Sequence, residues 1–315
     1  MGQLVKGEWQ TESQLGAHEN GKFKRNTTSF RNQLTPEELT QEPGRYHLYI
    51  AHACPWCHRT MIMHALKQLE EWIPVHIVAP HMGEHGWAFN GKDELTGAQY
   101  MHELYTQADP DYTGRVTVPV LWDSKEQTIV NNESSEIMRL FNAVHAHNDA
   151  DCYPPQHREA IDAVNERVYH TVNNGVYKAG FATTQDAYDE AYGELFDSLD
   201  WLEETLAAQR YLVGNTLTEA DWRLFVTLVR FDAVYATHFK CNKRRIADYP
   251  NLAGYLRELY QVPGIADTVQ MDQIKEHYYT SHPHVNPTRI IARGFDFDFE
   301  AAHDREKRGP AKAAA

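Results

Sequence analysis

Apolar positions change their spacing along the chain in an order that outlines two domains. Residues 1–44 are polar and turn-rich with no sustained period, and an extended arm is expected there. From residue 45 the pattern tightens. Residues 45–50 (RYHLYI) cluster aromatic and branched side chains as a strand does. The stretch 56–71 suits a helix that ends ahead of Pro74, and 73–78 (IPVHIV) suits a second strand. Strand, helix and strand in this order make a parallel βαβ unit. A polar helix is expected over 98–107, and strands over 117–122 (TVPVLW) and 128–130. A helix is expected over 133–145, where Ile137, Leu140, Phe141 and Val144 fall on one face.

Residues 146–156 (AHNDADCYPPQ) have the composition of a linker. Helical patterns alone follow, to about residue 270. Leu195, Leu199, Leu202 and Leu206 mark one helix. Thr218 and Asp221 form a capping-box pair that starts another, carrying Leu224, Phe225, Leu228 and Phe231. From Tyr278 onward the pattern is irregular, and the last residues are low-complexity. The expected organisation is an arm over 1–44, an α/β domain over 45–146, an all-helical domain with its tail over 157–293 and an irregular tail over 294–315.

Composition narrows the function classes. The net charge of −14 repels phosphate backbones, which argues against nucleic-acid binding. No run approaches the ~18 apolar residues of a membrane span, and residues 1–10 lack the apolar core of a secretory signal. Gly2 alone suggests myristoylation, but Lys6 stands where that signal needs Ser or Thr. Four cysteines in 315 residues make no disulfide scaffold and suit a reducing, cytosolic compartment.

The candidate chemistry lies at the first strand-to-helix junction, which reads Cys54-Pro55-Trp56-Cys57-His58. Pro55 suits a first helical turn, where its missing N–H is no loss. A sulfur at a helix N-terminus meets unpaired N–H groups and the positive end of the dipole, which favour the thiolate. His58 and Arg59 add positive charge nearby. A buried structural cysteine is a weaker account of this context. A zinc site needs two further ligands, and Cys152 and Cys241 are isolated. The histidine-bearing stretch 81–85 reads as a solvated loop rather than a metal site. Val118-Pro119 precedes a strand, where a cis proline beside an active cysteine would offer the Val118 backbone to a thiol ligand. Glu133-Ser134 opens a helix whose N–H groups can bind a carboxylate, although an ordinary acidic cap has the same composition.

Together these residues resemble the glutathionyl-hydroquinone reductases, the Xi class of the glutathione transferases, over about residues 23–293. The resemblance rests on Ser29-Phe30-Arg31, Cys54-Pro55-Trp56 with His58-Arg59-Thr60, the run 115–123 (RVTVPVLWD), Asn131-Asn132-Glu133-Ser134-Ser135-Glu136-Ile137, the run 174–181 (NGVYKAGF), Arg230-Phe231-Asp232, His238-Phe239-Lys240-Cys241-Asn242, and Tyr278-Tyr279 with Asn286-Pro287. It implies a thioredoxin-like N-terminal domain, a helical glutathione-transferase C-terminal domain and a homodimer. It also implies a reaction in which Cys54 attacks the glutathione sulfur of a glutathionyl-hydroquinone. The hydroquinone leaves, protonated by a tyrosine, and a second glutathione attacks the mixed disulfide. By the same resemblance Trp87, Arg115, Val118, Glu133 and Ser134 would hold glutathione, while Tyr169, Tyr177 and Tyr279 would meet the aromatic substrate, Tyr177 and Tyr279 with catalytic roles.

The chain departs from that pattern at Cys57, where the family carries alanine. Cys57 either resolves the Cys54 mixed disulfide, as in dithiol glutaredoxin-type enzymes, or is an inert packing residue, which is the preferred reading. Glu133-Ser134 would recognise the γ-glutamyl group of glutathione and of γ-glutamylcysteine alike, so either thiol can serve. The competing functions are a dithiol thiol transferase, a dehydroascorbate-type reductase, a conventional conjugating transferase and a non-enzymatic binding module. An intact cysteine in place of the serine or tyrosine of conjugating enzymes argues against the last two.

Overall fold

A computed structural model of the chain describes residues 2–11, 18–25, 27–145, 147–148 and 150–308. Its contacts divide the chain into two units. The first comprises Met1–Ala17, Lys24–Ala150 and Thr268–Ile291; the second comprises His18–Phe23, Asp151–Asp267 and Ala292–Ala315.

The arm expected over 1–44 is not simply extended. Strands β1 (Gln3–Val5) and β2 (Glu8–Gln10) form a hairpin. Its turn places Lys6 and Gly7 at φ 49° and 76°, the left-handed pair that a tight hairpin requires. Leu4 pairs with Gly114, and the Gly7 amide reaches the Tyr112 carbonyl at 3.0 Å. A second hairpin joins β3 (His18–Glu19) and β4 (Lys22–Phe23). Helix α1 (Pro36–Gln41) starts at a capping box between Thr35 and Glu38. Each piece is too short to show a period, and pairing with distant parts of the chain holds it in place. Residues 12–17 and 26 of the arm lie outside the described residues.

The first unit is built on β5 (Tyr46–Ile50), β6 (Val75–Ile77), β7 (Val120–Asp123) and β8 (Thr128–Asn131), in the order β6-β5-β7-β8. β5 runs parallel to β6 and antiparallel to β7, and β8 is antiparallel to β7. All five residues of β5 are buried, as in a strand covered on both faces. Helix α2 (Pro55–Leu66) makes the crossover between β5 and β6 and packs on α4 (Ser134–Asn142). α2 ends at Leu66 rather than at 71, because Gln68 turns to φ 53° and leads the chain towards β6. Helix α3 (Met101–Ala108) starts later than expected and is not wholly polar, since Met101, Leu104 and Tyr105 are buried. The strand expected from 117 begins at Val120, after Pro119, which has no N–H for a ladder.

Thr268–Ile291 also belongs to the first unit, although the sequence placed it in the helical domain. It carries helix α10 (Met271–Ser281), so the chain is still helical past Tyr278, where irregularity was expected. His58 Nε2 bonds the Thr268 hydroxyl at 2.8 Å, and His277 Nδ1 bonds the Pro80 carbonyl at 2.8 Å.

Apart from the β3–β4 hairpin the second unit is helical: α5 (Arg158–Val168), α6 (Gly175–Gly180), α7 (Gln185–Ala208), α8 (Glu219–Arg230) and α9 (Pro250–Tyr260). Every residue of α8 is buried, so it forms the axis of this core. The capping box read from Thr218 and Asp221 is present. Asp221 also accepts the Leu212 amide and the Tyr255 hydroxyl at 2.9 and 2.8 Å, and burial pushes its carboxyl up to about 6. Wide turns closed by i→i+5 bonds follow α5 and α8, from Asn174 N to the Tyr169 carbonyl and from Ala236 N to the Phe231 carbonyl, each 2.9 Å. The tail over 294–308 is irregular but anchored. Arg305 is buried, and its guanidinium donates to the Leu206 carbonyl at 2.6 Å, the Gln209 carbonyl at 2.8 Å and the Arg210 carbonyl, at the C-terminal end of α7. Positions 146 and 149 of the expected linker, and 309–315 of the low-complexity end, lie outside the described residues.

Candidate active site

The tight turn after β5 delivers Cys54 to the N-cap of α2, with Pro55 in the first turn. Cys54 is 9% exposed, and its Sγ lies 3.7 Å from the Val118 carbonyl rather than capping the helix. The Val118–Pro119 peptide is cis. A thiol can donate to that carbonyl and a thiolate cannot. Ionisation therefore removes that donation, and the positive end of α2, at whose N-cap the residue stands, favours the anion. Cys57 is fully buried, and its Sγ accepts the Ala51 amide at 3.4 Å. None of the four cysteines is in a disulfide.

Cationic groups surround Trp56, two residues beyond Cys54. The guanidiniums of Arg25 and Arg59 lie 4.7 and 4.5 Å from its ring centre. Arg115 is half-buried, and among the described residues its Nε has no hydrogen-bond partner. Burial, and then the charge of Arg25, pull its guanidinium below its ordinary basicity. A partly desolvated cation with no ion-pair partner among the described residues suits an anion.

Glu133 is the N-cap of α4. Its Oε1 accepts the Ser135 amide and hydroxyl at 3.1 and 2.9 Å, and its Oε2 accepts the Thr28 hydroxyl at 3.2 Å. Among the described residues no cation forms an ion pair with it, and the charge of Arg31 reaches it only at longer range, so a ligand ammonium would find an acceptor here. Ser134 is buried at the first position of α4, where backbone N–H groups suit a carboxylate. The ordinary acidic cap read from the sequence as the alternative is present, with Glu133 as the N-cap of α4.

Trp87 sits on the loop over 79–100 and stacks on His277 of α10, ring centres 4.8 Å apart and 17° from parallel. The loop is fastened at several points. Trp9 Nε1 donates to the Glu84 carbonyl at 3.0 Å, His81 Nδ1 bonds the Thr280 hydroxyl at 2.9 Å, and the Met82 amide donates to the Ser281 hydroxyl at 2.9 Å. Tyr279 is buried on α10. The first unit therefore holds Cys54, Trp87, Arg115, Val118, Glu133, Ser134 and Tyr279, while Tyr169 and Tyr177 belong to the second. Tyr177 lies on α6 among Phe23, Phe181, Tyr235 and Phe239, and the half-buried Tyr169 opens the wide turn after α5. Sequence reasoning missed Thr28, Arg25 and His277. Arg25 and Thr28 lie in a polar arm without period, and His277 becomes a partner of Trp87 only through a contact 190 residues apart in the chain. Among the described residues no group of three or more His, Cys, Asp or Glu is arranged to hold a metal ion, and no helix is long and apolar enough to cross a membrane.

A thioredoxin-like sheet with a cysteine at the N-terminus of its first crossover helix, followed in the chain by a helical unit, defines the class of thiol-using transferases. Family models agree: Glutathione S-transferase, N-terminal domain, matches residues 53–144, and Glutathione S-transferase, C-terminal domain, matches residues 185–258. Glutathionyl-hydroquinone reductase YqjG of Escherichia coli K12 is 51% identical over 326 residues, covering 98% of this chain and 99% of the relative. The solved Xi class GST from Natrialba magadii is 51% identical with a TM-score of 0.91, covering 98% of each chain. The glutathione-bound structure of YqjG is 49% identical with a TM-score of 0.88, covering 97% of this chain and 99% of that one. The chain belongs to the glutathione S-transferase family and, within it, to the Xi-class glutathionyl-hydroquinone reductases.

Proposed function

We propose that the protein cleaves glutathionyl-hydroquinones with glutathione as reductant. The Cys54 thiolate attacks the glutathione sulfur, forming an S–S bond as the sulfur–arene bond breaks. The bonding pair stays on the arene carbon, which takes a proton from a tyrosine, and hydroquinone departs. A second glutathione thiolate then attacks the glutathione sulfur of the mixed disulfide, giving oxidised glutathione and restoring the Cys54 thiolate. One thioether and one thiol become one hydroquinone and one disulfide, so atoms and electrons balance.

The observation that carries this reading is Cys54 at the N-cap of α2, a nucleophile placed where its anion is favoured. Groups complementary to glutathione support it. Glu133 suits the γ-glutamyl ammonium, Ser134 and the N-terminus of α4 suit its carboxylate, Arg115 suits the glycyl carboxylate, and the Val118 backbone and Trp87 suit the rest of the tripeptide. Glu133 and Ser134 meet only the γ-glutamyl end, so γ-glutamylcysteine also fits there. In this reading Tyr279 and Tyr177 serve the proton transfer and Tyr169 holds the aromatic ring. The protein works in the cytosol as a homodimer, and sedimentation tests the dimer.

The test is release of hydroquinone from glutathionyl-menadione with excess glutathione, compared with Cys54→Ala. Release abolished by the substitution supports both the reaction and the nucleophile. No release, with glutathione and then with γ-glutamylcysteine, sinks the reading in favour of a dithiol oxidoreductase built on Cys54 and Cys57.

A further inference from the structure

The loop over 79–100 that carries Trp87 is tied to the sheet by a hydrogen-bonded chain whose end points fix its proton count. His47 on β5 places Nε2 2.9 Å from the Gly44 carbonyl and Nδ1 2.9 Å from His76 Nε2. His76 on β6 places Nδ1 2.5 Å from Asp93 Oδ1. The other Asp93 oxygen accepts the Tyr49 hydroxyl at 2.9 Å, the Thr96 amide at 2.8 Å and the Thr96 hydroxyl at 2.6 Å.

A carbonyl only accepts, so His47 Nε2 carries a proton. A carboxylate only accepts, so His76 Nδ1 carries one too. A hydrogen bond between the two facing ring nitrogens, 2.9 Å apart, needs a third proton. Two neutral imidazoles hold two protons, so the pair holds one in excess: a single imidazolium shared across the His47–His76 contact, facing one carboxylate. The excess proton does not sit on Asp93. Burial works against that carboxylate, but hydrogen bonds from His76, Thr96 and Tyr49 outweigh it and hold the group well below the usual range.

Asp93 and Trp87 share one irregular hairpin. The Ala79 amide donates to the Ala88 carbonyl at 2.7 Å, Phe89 to Gln99 at 3.0 Å, Met101 to Trp87 at 2.9 Å and Asp93 to Ala98 at 2.8 Å. A displaced Asp93 therefore moves the strand pair that carries Trp87. We propose that Asp93 and the proton shared by His47 and His76 are positioning elements for thiol recognition, adding to the other fastenings of the loop a tie that holds Trp87 in its binding geometry while the pair carries one excess proton. The inference rests on the reading of Trp87 as a glutathione-binding residue.

Loss of the shared proton on the alkaline side leaves two protons for three contacts, so one contact becomes lone pair against lone pair. A second excess proton on the acid side sets two N–H groups face to face. Among the described residues, the titratable groups facing the pair are Tyr49 from β5, beside His47 itself, and Asp93 from the loop. Burial and then Asp93 raise the Tyr49 hydroxyl well above its ordinary range, so it stays neutral throughout. Burial, and then His76, lower His47.

Glutathione binding to the full chain, measured by calorimetry across the histidine range for wild type and Asp93→Asn, tests this, together with ¹⁵N NMR of the histidine rings. Wild type should bind tightest where the NMR shows one ring protonated at both nitrogens, and should weaken as that proton leaves. Asp93→Asn should bind roughly tenfold more weakly with a flat pH profile, and its KM for glutathione should rise by more than its kcat falls. Unchanged affinity and profile in Asp93→Asn overturn the inference alone, as do two singly protonated rings at the binding optimum. If the variant does not fold, the wild-type profile and NMR proton count decide. A wild type that binds no glutathione overturns the underlying reading and this inference with it.

Discussion

Cys57→Ala removes a fully buried sulfur from the first turn of α2 and asks whether that sulfur does chemistry. The structural loss can be worked from its surroundings. About one apolar heavy atom leaves the core, worth ~1 kcal/mol. The buried Ala51 amide loses the acceptor it meets at 3.4 Å. A stranded donor costs ~1–3 kcal/mol, and sulfur is a weak acceptor, so the lower end applies. The sum is about 2 kcal/mol, or roughly 4–8 °C in the unfolding midpoint of a unit of this size. Turnover involves a different sulfur, the one beside Val118, and should stay within about threefold of wild type, ~0.7 kcal/mol in the barrier. Steady-state cleavage of glutathionyl-menadione, measured well below the melting temperature and beside Cys54→Ala, separates the two effects. Turnover as low as that of Cys54→Ala in a folded Cys57→Ala protein refutes the reasoning, because it would mean that Cys57 resolves the mixed disulfide.

Arg115→Met should raise the KM for glutathione roughly 10–100-fold, since a buried charge-assisted contact is worth ~1.5–3 kcal/mol; steady-state kinetics with an unchanged KM would remove Arg115 from the carboxylate site. Glu133→Gln should weaken binding of glutathione and γ-glutamylcysteine by a similar factor, checked by calorimetry with each thiol; a loss confined to one thiol would contradict a shared γ-glutamyl contact. Arg305→Met should destabilise the second unit by about 3 kcal/mol, roughly 6–12 °C, because three carbonyls at the end of α7 lose their donor; a calorimetric midpoint unmoved by the change would show that the tail does not hold that helix. The Asp221 carboxyl, pushed up to about 6 by burial, should titrate there by ¹³C NMR. Its folded value exceeds its unfolded one, so its stabilisation is complete below about pH 4 and is lost as pH rises through 6, by about 3 kcal/mol; a midpoint near the ordinary carboxylate value would contradict this.

What was legible in the sequence was local. β5, α2 and β6 are readable because one apolar period gives way to another across Cys54, and the Thr218–Asp221 box because both partners lie within one turn. Cys54 and Glu133 could be found because each opens a helix, a position with its own composition. The N-terminal hairpins could not, since two- and three-residue strands carry no period. The partners that complete the site were equally hidden. Thr28 meets Glu133 across 105 positions, and His277 meets Trp87 across 190. Thr268–Ile291 was placed with the helical domain as its tail because it follows that domain in the chain, and order along the chain does not report which unit a segment joins.

That returning segment constrains how the protein can be made. Thr268 and His277 bond His58 and Pro80 across 210 and 197 positions. During synthesis the ribosome must therefore release nearly the whole chain before the unit bearing Cys54 can close, and every helix of the second unit emerges in the interval. A nascent chain arrested after residue 150 would hold the sheet and the cysteine with no α10 beneath Trp87, and a gene fragment cut there should yield an exposed thiol that oxidises or aggregates rather than an autonomous domain.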